Sequence, residues 1–393
     1  MTRKPQLKNL KIKEGCVRQY RGIVIGAGIA GCSVACSLKR LFPGLEITII
    51  DQHPDVFGEA SRYNSGVVHS GIHQRAEFLK SRLAPVGGRL LIEFCERNNV
   101  PHRRSGMLIT VSSRHFLKLL AEIGSLTKLY KNSRRLGLKL SVLTQGGIAR
   151  LEPSVRAAFG LYLPDVLVVD QPALGRQLRR VCEQEGVEFL LNETVTSITR
   201  HRGVYEIRTR HLSPGPVAEL VVNAAGVNAD SISRMAGFSA YTIYPYRGEY
   251  YEVIGPKKDL LSNTLVYPAL PPGHPVKGIH LTKTMDGRLL IGPNAKPWKS
   301  RQNYPEVRTP PRDFLEGARR FLPGLVENDL RWAYAGLRAK INPGTREDDF
   351  VIRFESGSPT FVNLIGIESP GFTAGLAIGD YVAKWIKELC LIR

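Results

Sequence analysis

The chain has 393 residues, 43% of them hydrophobic and 23% charged, with 55 Lys and Arg against 35 Asp and Glu and a net charge of +20. That length exceeds what one hydrophobic core usually serves, so two joined domains are expected. No run approaches the roughly 20 apolar residues of a membrane-spanning helix, and no signal-peptide core is visible. The six cysteines, Cys16, Cys32, Cys36, Cys95, Cys182 and Cys390, have neither CxxC nor metal-like spacing. They are expected to be reduced packing residues of a cytoplasmic protein, with no metal site.

The chain begins with a basic arm, residues 1–20, in which Arg3, Lys4, Lys8, Lys11, Lys13 and Arg18 face one acid, Glu14. Without apolar periodicity it is expected to be disordered, and contact with anionic lipid or nucleic acid is the functional alternative. The apolar run Ile23-Val24-Ile25 leads into Gly26-Ala27-Gly28-Ile29-Ala30-Gly31 and a helical stretch to Arg40, and a second apolar run ends at Asp51 and Gln52. Here Gly26 allows a tight turn, Gly28 lets backbone approach a pyrophosphate, and Gly31 lets helix and strand touch. The helix N-terminus offers free N–H groups and its positive dipole end to phosphate. Asp51, about 20 residues on, suits ribose hydroxyls. Strand, glycines, helix, strand and acid in one register predict a dinucleotide site.

A polar loop over residues 58–73 precedes predicted helices at 77–98 and 114–136, with a strand at 107–111 between them. A second α/β stretch starts at Leu167-Val168-Val169-Asp170, with a helix opened by Pro172 and a strand at 187–191. A hairpin at Arg202-Gly203 and an apolar run at 219–226 follow. From 241 to 291 alternating aromatic strands with a turn at Met285-Asp286-Gly287 predict an antiparallel sheet. A short helix at 312–321 precedes a return to α/β character at 360–386. Nucleotide-type segments therefore recur at both ends and in the middle, which predicts a discontinuous nucleotide domain with a sheet-rich domain inserted.

Only one GxGxxG occurs, so a second dinucleotide for NAD(P)H is not expected. The segments Asn64-Ser65-Gly66-Val67-Val68-His69-Ser70-Gly71, Val222-Asn223-Ala224-Ala225-Gly226, Pro245-Tyr246-Arg247-Gly248-Glu249-Tyr250, Gly278-Ile279-His280-Leu281-Thr282, Gly292-Pro293-Asn294-Ala295 and Ala335-Gly336-Leu337-Arg338-Ala339 are more specific than the glycines. With them the chain, from about Gly22 to Lys384, resembles the D-amino-acid-oxidase-like FAD oxidoreductases and, within them, the L-2-hydroxyglutarate dehydrogenase/oxidase group. The resemblance implies a Rossmann-like FAD-binding domain over 21–75, 150–236 and 331–393, and an inserted antiparallel α+β substrate domain over 76–149 and 237–330. It implies FAD with its pyrophosphate on the first helix, its ribose at Asp51, its adenine near Val195 and the Ala225-Gly226 turn alongside. The loop carrying Asn64, Ser65, Gly66 and Val67 would lie beside the isoalloxazine. Gly366, Ser369, Pro370, Gly371, Phe372 and Thr373 would bring a helix N-terminus to the flavin N1 edge, where reduction places negative charge. The chain departs from the group in lacking Asn-Ala-Pro-Ser-Pro at this last segment and in a shorter stretch over 296–331.

The implied reaction is oxidation of an L-2-hydroxy acid, L-2-hydroxyglutarate foremost, to the 2-oxo acid by hydride transfer to flavin N5. That chemistry needs a cation for the carboxylate and a base for the hydroxyl proton. Arg247 and Arg338 are the candidate cations, because guanidinium binds carboxylate through a planar fork; for Arg247 the alternative is a structural ion pair with Glu249. Lys283 and Lys340 are candidates for a distal carboxylate, with Tyr250 and Thr282 lining the substrate. His69 is the favoured base and His280 the other candidate. The same-fold alternatives are a glycerol-3-phosphate dehydrogenase and an amine or amino-acid oxidase, and the +20 charge raises an RNA-binding flavoprotein as another class, although no nucleic-acid module is recognised. Reoxidation is expected from a quinone, oxygen or a carrier protein, and the basic surface favours a peripheral position on the inner membrane face.

Overall fold

The computed structural model of the chain describes residues 20–112, 116–270, 278–303, 305–344 and 347–389. The arm over 1–19, with Cys16, and also Cys390, His115 and His274 lie outside them. A six-stranded sheet forms the first layer, in the order Val351–Gly357, Thr360–Ile365, Leu220–Asn223, Arg21–Ile25, Glu46–Ile50, Val187–Leu190. All neighbours are parallel except the Val351–Gly357 edge. A parallel sheet covered on both faces needs near-continuous apolar strands, and Ile23, Val24, Ile49, Ile50, Val221 and Val222 are buried.

Helix Ile29–Leu41 is buried on every side from Ile29 to Leu38, as expected for a helix held between layers. Its outer neighbour is helix Gly371–Glu388. The two approach closely because Gly375 and Gly379 carry no side chain: a methyl there would strike Ile29 and the Ser33 backbone. Helix Leu79–Arg97 packs on the same C-terminal helix, with Gly87 against the backbone of Thr373 and Ala374. Cys32, Cys36, Cys95 and Cys182 are buried free thiols.

The second layer is a nine-stranded sheet that runs Lys296–Pro297, Tyr244–Val253, Leu289–Gly292, His280–Lys283, Leu265–Pro268, Met107–Val111, Phe159–Leu163, Ser141–Thr144, with Leu330–Lys340 also paired to Tyr244–Val253. Two expected domain boundaries shift accordingly. Phe159–Leu163 lies between Met107–Val111 and Ser141–Thr144, and Leu330–Lys340 runs antiparallel along Tyr244–Val253, so both belong to this sheet. The physical reason is strand pairing: their backbone groups find ladder partners only here. The loop expected over 58–73 also contains a short strand, Val67–Val68, paired with Leu167–Val169.

Candidate active site

One cavity of about 400 Å³ runs between the two sheets, within the size range of small-molecule sites. It starts at the glycine turn. Gly26 takes a left-handed φ of 112°, and a side chain there would strike Ala224; a methyl at Gly31 would strike the Gly26 carbonyl. Gly26, Gly28, Ile29 and Ala30 line the cavity, whereas Ala27 and Gly31 shape the turn from behind. The Ile29 N–H donates to Ser61 Oγ at 3.0 Å, so Ser61 caps the helix. Asp51 Oδ2 accepts the Ala27 N–H at 2.6 Å and Oδ1 accepts the His53 N–H at 2.8 Å. Burial pushes the Asp51 carboxyl upward against these two bonds. Gln52 and His53 also line this end. His53 pairs with Glu59 at 3.3 Å, and that bond raises its pKa.

Val195, Ala225 and Gly226 line the cavity beyond Asp51, with Thr194 and Ile232 beside them. The other end gathers Asn64, Ser65, Val67, His69, Tyr250, His280, Arg338, Glu368 and Ser369, Pro370, Gly371, Phe372 and Thr373. Gly66 and Gly366 lie just behind, with left-handed φ of 68° and 70° that turn their loops toward the cavity. Thr373 Oγ1 accepts the His69 N–H at 3.0 Å, which ties the loop to the start of the C-terminal helix.

The two histidines share a platform. Tyr267 stacks on His280 with centroids 4.0 Å apart and meets His69 edge-on at 6.3 Å. His280 Nδ1 lies 3.0 Å from the Gly278 carbonyl, so Nδ1 carries the proton and Nε2 is left as an acceptor; Nε2 is buried with no hydrogen-bond partner. Burial first, then the neighbouring His69 and Arg338, push the His280 pKa down to about 3, so the ring is neutral. Burial pushes the Tyr250 hydroxyl up to about 12.

Arg338 is the single Lys or Arg among the described residues that line the cavity. Its Nη1 lies 3.9 Å from Glu368 Oε2, beyond hydrogen-bond reach. Glu368 also lies 3.9 Å from Nζ of the fully buried Lys80. Neither Glu368, Lys80, Ser61 nor Tyr267 was singled out for a role from sequence, because each acquires its place only by folding. Glu368 alone left a trace, standing in the segment that departs from the Asn-Ala-Pro-Ser-Pro form.

Four expected substrate residues lie elsewhere. Arg247 is 2% exposed and absent from the cavity wall. It donates to Glu249 Oε1 at 2.9 Å, to Asn303 Oδ1 at 3.0 Å and to the Val307 carbonyl, and stacks on Trp298. The structural ion pair therefore replaces the carboxylate-binding role expected for it. Lys283 donates to Asp259 and the Lys258 carbonyl, Lys340 lies over the Tyr246 ring at 4.9 Å, and Thr282 is buried inside its strand; none lines the cavity. Along a strand side chains alternate between faces, and Arg247 falls between Gly248 and the preceding Tyr246.

A family model for FAD dependent oxidoreductases, DAO, matches residues 22–385. L-2-hydroxyglutarate dehydrogenase of Salmonella houtenae is 26% identical, over 94% of each chain. A glycerol 3-phosphate dehydrogenase of Caloramator mitchellensis is 29% identical over 93% of this chain and 73% of its own. The fold matches dithionite-reduced L-alpha-glycerophosphate oxidase of Mycoplasma pneumoniae with FAD bound, at a TM-score of 0.84 and 24% identity over 95% of both chains. The chain belongs to the DAO family of FAD-dependent oxidoreductases, and the glycine turn, Asp51 and the long cavity fit that cofactor.

Proposed function

We propose that the chain oxidises the CH–OH group of a small L-2-hydroxy acid, with L-2-hydroxyglutarate as the leading substrate and 2-oxoglutarate as its product. The observation that carries this reading is a guanidinium, Arg338, at the end of the cavity wall that also presents two imidazoles, His69 and His280. FAD, when bound along Gly26, Gly28, Asp51, Val195 and the Ser369 to Thr373 segment, supplies the two-electron acceptor. Arg338 holds the α-carboxylate, because its distance from Glu368 leaves donors of its planar fork for a ligand. His69 takes the single proton of the substrate hydroxyl, because His280, pushed down to about 3 chiefly by burial, is too weak a base to take it at neutral pH. Tyr267 fixes both rings, and Tyr250 closes the wall with a neutral hydroxyl.

The choice of 2-hydroxyglutarate is supported by the Salmonella houtenae relative. Glycerol 3-phosphate is the second reading, favoured by the Caloramator mitchellensis relative; Arg338 would then hold phosphate. A quinone, oxygen or a carrier protein takes the electrons onward in a cytoplasmic setting. Anaerobic mixing of the FAD-loaded protein with a panel of 2-hydroxy acids, glycerol 3-phosphate and amino acids, followed at the flavin band, tests the reading. Bleaching by L-2-hydroxyglutarate is expected; bleaching by glycerol 3-phosphate alone would overturn the substrate.

A further inference from the structure

Helix Phe116–Arg135 carries an outward face that the oxidoreductase reading does not use. Its inner side packs on the second sheet through Leu119, Ile123, Leu126 and Leu129. Phe116, Leu117 and Leu120, on the outer side of its first turns, are 71%, 78% and 49% exposed. Its last two turns present exposed Lys128, Lys131, Arg134 and Arg135. At 100° per residue these seven positions fall within roughly a third of the helix circumference. The one acid of the helix, Glu122, is buried: it accepts the Ser112 N–H and pairs with Arg320. The outer face is therefore apolar at one end, basic at the other and free of carboxylates.

Leaving three large side chains in water is unfavourable, and a contiguous exposed apolar group beside cations marks an interaction surface. From this charge pattern we infer that the outer face of Phe116–Arg135 docks the protein on an anionic lipid bilayer. The helix lies in the interface plane, with Phe116, Leu117 and Leu120 in the acyl boundary and Lys128, Lys131, Arg134 and Arg135 at the headgroups. A protein partner would need its own apolar and acidic counterpart, whereas a bilayer supplies both along one plane. No helix among the described residues is long and apolar enough to cross a membrane, so the contact is peripheral.

Vesicle co-sedimentation of the full-length, FAD-loaded protein tests the inference, with phosphatidylcholine vesicles and with vesicles containing one part phosphatidylglycerol to two parts phosphatidylcholine. The inference requires binding to the anionic vesicles that weakens with salt and falls at least about tenfold in a Phe116→Ser/Leu117→Ser/Leu120→Ser variant. Equal flavin content and near-ultraviolet circular dichroism establish that the variant is folded. A Lys128→Gln/Lys131→Gln variant, which disturbs no apolar contact, is expected to lose binding to anionic vesicles as well. Absence of wild-type binding overturns the inference, as does unchanged binding by the triple variant, which would assign it to the basic arm. A wild-type dimer in sedimentation velocity that the triple variant dissociates would overturn it in favour of a second copy.

Discussion

Arg247 and Arg338 sit on neighbouring antiparallel strands, one residue out of register, since Tyr246 is the Cα partner of Arg338 and Arg247 that of Leu337. One is sealed away from the cavity with its donors engaged by protein acceptors; the other lines the cavity with its acid at 3.9 Å. The difference teaches that an arginine in an aromatic strand can serve architecture or chemistry. What decides is whether its donors are already engaged and which sheet face it occupies.

Arg247→Ala should break this contrast on the architectural side. It leaves Glu249, which Thr309, Asn294 and Arg247 hold below the ordinary carboxylate range despite burial, as an uncompensated buried charge. The expected loss is about 3–5 kcal/mol of stability by denaturant melts, with kcat/KM per folded, flavin-loaded molecule retained. Arg338→Ala should act the other way, lowering kcat/KM at least about 100-fold, or about 2.7 kcal/mol, with flavin content intact. Glu368→Gln tests the link between the cavity and Lys80. It should cost about 1–3 kcal/mol in thermal unfolding, because the fully buried Lys80 loses one of its two carboxylates at 3.9 Å, keeping Glu347 and the Phe350 ring.

His280 adds a pH dependence to the stability of the cavity. Its folded pKa of about 3 lies below the unfolded value near 6.5, so between those pH values only the unfolded chain binds the proton. Stability should then be intact above about pH 6.5 and fall by up to about 1.4 kcal/mol per pH unit below it. His280→Asn should flatten that part of the profile; an unaltered slope would assign it to other groups.

The nucleotide half of the fold was legible because its signals are local. Gly26, Gly28 and Gly31 act through backbone shape and Asp51 through its carboxylate within one strand–helix–strand unit, whose strands end in the apolar runs Ile23-Val24-Ile25 and Ile49-Ile50. Phe159–Leu163 and Leu330–Lys340 fall inside or at the edge of stretches expected in the FAD-binding domain, yet they pair in the second sheet, because pairing partners are non-local and no local pattern names them. The segments that carry the resemblance hold His69, His280 and Arg338, which line the cavity, yet composition could not separate Arg338 from Arg247. Lys283 and Lys340 look like ligands in sequence, and only folding brings Asp259 and Tyr246 to them. Ser61 was hidden in a polar loop, and Tyr267 in a strand where an aromatic residue ordinarily means core.

Anaerobic stopped-flow reduction by L-2-hydroxyglutarate, normalised to bound flavin, tests the division between the two arginines most directly. The expected result is rapid bleaching in the wild type and in Arg247→Ala, within about threefold of each other, and at least about 100-fold slower bleaching in Arg338→Ala at subsaturating substrate. Slow reduction in a folded, flavin-loaded Arg247→Ala beside an unimpaired Arg338→Ala would contradict it.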